Sequence, residues 1–214
     1  MSIAKDLDPL KAIASHPASK SMDLAQIEEQ RVTLCNITWP QYDTLPVTLD
    51  EVPGLRLTYL SGCLELYMPS PEHEQLKSIL GRLLELYSIE TQTRLYACGS
   101  TTYRKQAQER GLEPDKSYCV DELKDRPDLA IEVVLSSGGI DKLLVYQGLA
   151  IPEVWVWTDN TLQLYHLCNG AYQQVESSQV LPKLDIDLFV CCAQIPDQFD
   201  ATVQYQQALR REVR

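Results

Sequence analysis

Residues 55–60 and 63–68 each alternate apolar with polar side chains at a period of two, and Ser61-Gly62 stands between them. The pattern predicts two half-buried strands joined by a two-residue turn, a β-hairpin in which the glycine takes the positive φ. The period then changes. Leu76, Ile79, Leu80, Leu83, Leu84 and Tyr87 recur at three-and-four spacing behind Ser70-Pro71-Glu72. That spacing predicts a helix capped by Ser70, with Pro71 in its first turn, Glu72 and Glu74 near its positive end, and one apolar stripe to lay on a sheet.

Downstream, strands are expected over residues 94–98, 101–105, 115–120 and 129–135, with a polar loop through Arg110-Gly111 and a charged connector at 121–126. Ser136-Ser137-Gly138-Gly139 leads into a short helix ending near Gly148. Residues 154–157, 162–167 and 171–175, separated by Asp159-Asn160 and Asn169-Gly170, read as a closing meander. Residues 181–190 carry no clear period. Residues 198–213 read as a terminal helix, with Arg210, Arg211 and Arg214 toward its negative end. Near the start, Trp39-Pro40, Leu45-Pro46 and Val52-Pro53 read as turns leading into the sheet. The chain is thus expected to divide into an arm over residues 1–30, one domain over 31–195 and a C-terminal helix or tail over 196–214. The arm reads as mobile or as short helical pieces.

Composition narrows the class. A chain of 214 residues with 44% hydrophobic content can bury one sizeable core. No apolar run approaches the length that spans a bilayer, and the first residues lack the apolar core of a secretory signal. Seven cysteines, an odd number with no C-x-x-C pair, suit buried thiols in a reducing compartment, so a cytoplasmic location is expected. With only His16, His73 and His166 beside them, a structural zinc site has no supporting spacing. The net charge of -11 argues against a broad nucleic-acid-binding face. Arg104, Lys105, Arg110 and Lys116 nevertheless gather around Pro114-Asp115, either as a small basic footprint or as a solvated loop of mixed charge.

The candidate chemistry begins with Glu132, which interrupts the apolar run Leu129-Ala130-Ile131-Glu132-Val133-Val134. On alternation it shares a face with Ala130 and Val134, where a carboxylate loses hydration unless a positive partner compensates it. A divalent metal would do so; a wet strand face or an arginine are the other readings. Asp115 enters the neighbouring strand, so the two carboxylates could reach one ion, although alone it reads equally as a turn residue. Lys142 falls in the first turn of the helix after Gly138-Gly139, where the dipole disfavours a cation and an approaching phosphate would reverse the preference. A solvated surface lysine beside Asp141 is the competing reading. Glu72 and Glu74 fit a helix-dipole role, His73 a cap or packing role, His166 a packing role, and Trp155 and Trp157 a core or a subunit contact.

Pro114-Asp115, Asp128-Leu129-Ala130-Ile131-Glu132-Val133, Gly139-Ile140-Asp141-Lys142 and Val145-Tyr146 through Ile151-Pro152-Glu153-Val154-Trp155 together resemble the Uma-type restriction endonuclease family of the PD-(D/E)-x-K nuclease superfamily. The resemblance runs over about residues 55–189. It implies an α/β (α+β) fold, a restriction-endonuclease-like mixed sheet flanked by helices with an N-terminal β-hairpin. It also implies a Mg2+- or Mn2+-dependent endonuclease acting on DNA, with Asp115 and Glu132 as metal ligands and catalytic residues and Lys142 as the catalytic lysine. The superfamily's lysine stands two positions after the second acid, where this chain has Val134, so Lys142 would have to fold back toward Glu132. Glu72 or Glu74 would match an additional helix acid. A nuclease fold that binds without cleaving is the rival expectation, and a homodimer through the tryptophan-bearing meander is the expected assembly.

Overall fold

The computed structural model describes residues 28–49, 51–99, 101–136 and 138–212. The expected arm lies outside them except for its last three residues, and Gln30 already opens a strand. Val213, the last residue of the expected terminal helix, and Arg214 also lie outside the described residues.

The hairpin forms where the alternation predicts it, from β2 (Arg56–Leu60) and β3 (Cys63–Met68), closed at Leu60 opposite Cys63. Both turn residues take positive φ, Ser61 at 44° and Gly62 at 87°, which gives the turn the twist its strands need. Outside β3 lies β1 (Gln30–Cys35). On the other side follow β6 (Arg110–Leu112) and β5 (Tyr103–Lys105), giving an antiparallel sheet ordered β1-β3-β2-β6-β5. β6 corrects the polar loop expected at Arg110-Gly111. Three residues carry too little pattern to reveal a strand whose pairing comes from β2 and β5.

A helix, α1 (Trp39–Thr48), stands where the prolines suggested turns. Pro40 lies in its first turn, where no N–H is needed, and the Thr38 N–H donates to Gln41 Oε1 at 2.8 Å. Pro46 removes one helical N–H in the last turn, and the helix stops soon after it, at Thr48. Tyr42 of this helix is fully buried and stacks on Tyr59 at 4.7 Å. Gly111 makes room for it, since a Cβ there would come within 2.7 Å of Tyr42 Cζ.

The second sheet has six strands in the order β11-β10-β9-β8-β7-β4. These are β4 (Leu95–Ala97), β7 (Lys116–Val120), β8 (Leu129–Val134), β9 (Glu153–Thr158), β10 (Thr161–Cys168) and β11 (Ala171–Val175). Only β8 and β9 run parallel, so the chain must cross over between them, and α3 (Lys142–Leu149) makes that crossing. The apolar stripe of α2 (Pro71–Glu90) covers one face, packing Ile79, Leu80, Leu83 and Leu84 near Leu129, Ile131 and Val133. The same layer receives α4 (Ile186–Ala193), which occupies the stretch without a readable period, and α5 (Gln198–Glu212). α3 covers the opposite face with Val145, Tyr146 and Leu149 against Ala130 and Val154.

A mixed sheet with helices on both faces and antiparallel N-terminal strands is consistent with the restriction-endonuclease-like fold. Trp155 and Trp157 are buried in the α2-side core, which removes them as a reason to expect a homodimer. Among the described residues no helix is long and apolar enough to cross a membrane.

Candidate active site

β7 and β8 pair antiparallel with Lys116 opposite Ile131 and Ser117 opposite Ala130. Asp115 stands one residue before this pairing begins, at the end of the ladder where β8 continues into Glu132 and Val133. Both carboxylates are nearly inaccessible, at 2% and 1% exposure, so each needs partners. Asp115 Oδ2 accepts the Val133 N–H at 2.9 Å and lies 3.1 Å from His73 Nε2. Burial pushes the Asp115 carboxyl up, but the His73 ring, the Lys142 ammonium and the Val133 N–H together outweigh it and hold the group down at about 2.

Glu132 takes both of its donors from α3. Lys142 Nζ donates to Oε2 at 2.5 Å and the Tyr146 hydroxyl donates to Oε1. Here burial prevails, and with the Asp115 charge it raises the Glu132 carboxyl against the pull of Lys142 and Tyr146. For Lys142 the balance reverses: burial alone would lower the ammonium, and the charges of Glu132, Asp115 and Glu65 raise it. Three acids thus overcome a helix terminus that disfavours a cation by roughly 1 kcal/mol or less. Lys142 is no free surface lysine, since its side chain is 20% exposed and folded back onto Glu132.

Reading along the strands missed two further side chains. His73, fully buried in the first turn of α2, sets Nε2 at 3.1 Å from both Asp115 Oδ2 and Val133 O. Two acceptors around one ring nitrogen assign the proton to Nε2. Glu65 on β3, 1% exposed, accepts the Ile140 N–H at 3.0 Å and faces Arg31 Nε at 3.4 Å. Its sequence signal matched that of Glu132, a lone acid in the apolar strand Cys63-Leu64-Glu65-Leu66-Tyr67. His73 carried no such signal.

Arg31, Glu65, Tyr67, Glu132 and Lys142 line a cavity of about 200 Å³. Neither helix acid lines it: Glu72 is exposed, and Glu74 pairs with Arg56 at 3.7 Å and with Lys77 and lies 3.7 Å from His73 Nδ1. The basic residues near Asp115, read either as a footprint or as a solvated loop of mixed charge, are each engaged elsewhere. Arg104 pairs with Asp43 at 2.8 Å, Lys105 donates to Gly148 O at 3.3 Å, and Arg110 donates to Ser61 Oγ at 2.6 Å. Lys116 lies on the α2 face, against Gly81. His166 sits 3.5 Å from Glu153 Oε2, remote in the sheet register from the acid pair.

A family model described as "Uma2: Putative restriction endonuclease" matches residues 39–194. The chain belongs to the Uma2 family. Membership suggests a nuclease function and is consistent with the PD-(D/E)-x-K superfamily. No curated protein matches the chain. The Uma2 match takes in Asp115, Glu132, Lys142, His73 and Glu65, and leaves out β1 and α5.

Restriction-endonuclease-like families such as Uma2 generally use divalent metals. Among the described residues no group of three or more His, Cys, Asp or Glu side chains lies close enough to hold an ion. The donors present nevertheless suit a hard cation in kind: Glu132 and Asp115 are buried carboxylates whose charges both act on the Lys142 ammonium, and their oxygens are the ligand type that Mg2+ and Mn2+ take.

The Asp115 environment has a consequence for acid stability. Its folded-state value lies below the ordinary 3.8, so the stabilisation is complete above about pH 4 and is lost as pH falls toward 2. Over that window the carboxyl contributes about 2 kcal/mol. Urea unfolding at pH 2.5–5, a range set by that linkage, is expected to give a shallower acid limb for Asp115→Asn than for the wild type. Parallel limbs would show that Asp115 carries no such linkage.

Proposed function

We propose that the chain is a metal-dependent endonuclease acting on DNA, in which Asp115 and Glu132 hold Mg2+ or Mn2+ and Lys142 positions the attacking water. The observation that carries this reading is the Lys142 ammonium, 2.5 Å from Glu132 although ten residues later in sequence; Glu132 stands on the strand that pairs with β7 just after Asp115. A hard divalent cation, when bound, supplies Lewis-acid polarisation of the phosphodiester. The chain's own groups do the rest. Asp115 is kept ionised by His73 and the Val133 N–H, Tyr146 orients Glu132, and Lys142 offers N–H donors to a water or to a phosphate oxygen.

The rival reading is a nuclease fold that binds without cleaving. It is favoured by the engagement of both Glu132 oxygens with Lys142 and Tyr146 and by the net charge of -11. One experiment separates the two: Mn2+ calorimetry, with cleavage of plasmid and single-stranded DNA, on the wild type and Asp115→Asn. The endonuclease reading expects saturable Mn2+ binding and metal-dependent cutting. The variant should lose more than the roughly 10–100-fold that a supporting residue around a metal costs. Equal cutting by both proteins assigns the activity elsewhere. A folded wild type that takes up no Mn2+ at millimolar concentration favours the binding module.

A further inference from the structure

Residues 138–141 lead from β8 into Lys142, and the opposite sheet grips their backbone. Glu65 Oε2 accepts the Ile140 N–H at 3.0 Å, and the Arg31 guanidinium donates to Gly138 O. Between these two contacts passes Gly139, at φ +100°, where a Cβ would overlap Glu65 Oε2 and lie 2.9 Å from Arg31 Cδ. Only a glycine can run this close to the pair.

Two of the acids that line the cavity and its two cations stand in a definite assignment. Arg31 faces Glu65 at 3.4 Å, and Lys142 faces Glu132 at 2.5 Å. Both cations lie over the Tyr67 ring, with Arg31 Cζ 4.9 Å and Lys142 Nζ 5.8 Å from its centre. A guanidinium is the better partner for a carboxylate, since its planar fork can engage both oxygens. Were Glu65 uncharged, Arg31 would compete with Lys142 for Glu132.

We infer that Arg31 and Glu65 are positioning residues for Lys142. They fix residues 138–141 so that the ammonium reaches Glu132, and Glu65 retains Arg31 so that Glu132 is left to Lys142. The inference rests on the role proposed above for Lys142. Arg31 precedes residue 39, where the Uma2 match begins, so the first strand belongs to the working site although the family match does not include it.

A clamp that merely joins two sheets would leave Lys142 unaffected, and the test reads Lys142 directly. Arg31→Ala and Glu65→Gln are made in the full chain, with Arg104→Ala breaking an unrelated surface pair as the control. The 15N ammonium signal of Lys142 is assigned by its loss in Lys142→Arg, and amide exchange is followed at Ile140. In both variants the ammonium signal is expected to vanish into solvent exchange. Ile140 should exchange at least about tenfold faster, because Arg31→Ala removes the donor to Gly138 O and Glu65→Gln the charged acceptor of the Ile140 N–H, each the size of one charge-assisted hydrogen bond. With DNA and Mn2+, the rate at saturating substrate should fall while half-saturation stays, and Arg104→Ala should behave as wild type. Arg31→Lys, which keeps the charge beside Glu65, should restore part of the ammonium signal. Wild-type ammonium and Ile140 behaviour in Arg31→Ala overturns the inference, and this variant at an edge strand decides the matter if Glu65→Gln fails to fold. A wild type that has the protected ammonium yet cuts no DNA overturns the nuclease reading instead, and the two spectroscopic measurements still judge the positioning.

Discussion

Replacing Glu132 with glutamine is expected to abolish metal-dependent cleavage while leaving the protein folded. The amide keeps the shape of the carboxylate, and the Tyr146 hydroxyl can still donate to its oxygen. What disappears is the charge that faces Lys142 and, in the proposed site, one of two metal ligands. Losing Lewis-acid stabilisation of several kcal/mol corresponds to a rate fall of roughly 10³-fold. The stability change should be far smaller than the 3–5 kcal/mol that breaking a buried ion pair costs, about 1–2 kcal/mol. Two considerations support that: burial raises the Glu132 carboxyl, so its ionised form is costly where it stands, and the Asp115 charge still acts on Lys142. A carboxyl raised in the folded state makes stability decline as pH climbs above its ordinary range, and Glu132→Gln should lack that decline. Single-turnover cleavage with Mn2+ and urea unfolding across pH measure both effects. Cutting within tenfold of wild type would remove Glu132 from the reaction.

Glu153→Ala should act on the opposite property, unfolding the protein at a markedly lower temperature. Glu153, fully buried at the start of β9, accepts from Trp155 Nε1 at 2.7 Å, Ser178 Oγ at 2.5 Å, and the N–H groups of Gln179 at 2.7 Å and Val180 at 3.3 Å. One carboxylate thus holds the chain after β11 onto the sheet. Alanine leaves these donors without an acceptor in a closed space, at a cost of roughly 3–5 kcal/mol. For a domain of this size that lowers Tm by on the order of 10 °C. Glu153→Gln should recover only part of the loss, because its NH2 group would face N–H groups that need an acceptor. Differential scanning calorimetry decides it, and a Tm within about 2 °C of wild type would show that water replaces the carboxylate at no cost.

Glu153 and Glu65 also mark how far the sequence could be read. Each is a single acid in an apolar strand, the signal that drew attention to Glu132, yet Glu153 anchors a loop and Glu65 grips the segment before Lys142. Pattern says that such an acid needs a partner and is silent about which partner it finds. His73 lacked even that signal. Its neighbours Ser70, Pro71 and Glu74 explain a helix start, and its contact with Asp115 depends on where α2 lands across the sheet. The prolines of α1 misled for a related reason, since Pro40 is as suited to a first helical turn as to a bend, and the Thr38–Gln41 contact chooses between them.

Sequence alone determined the local periods: the hairpin, the α2 stripe, the meander and the faces of β8, all of which depend on neighbours a few residues apart. It also marked Glu132 as costly in its surroundings and raised Asp115 and Lys142 as candidates, each with a turn or surface reading beside it. Only the tertiary structure decided the charge assignment, in which Lys142 faces Glu132, His73 faces Asp115 and Arg31 faces Glu65. The physical reason is that a buried charge selects among all the donors brought near it by packing, and those donors come from strands and helices far apart in the chain.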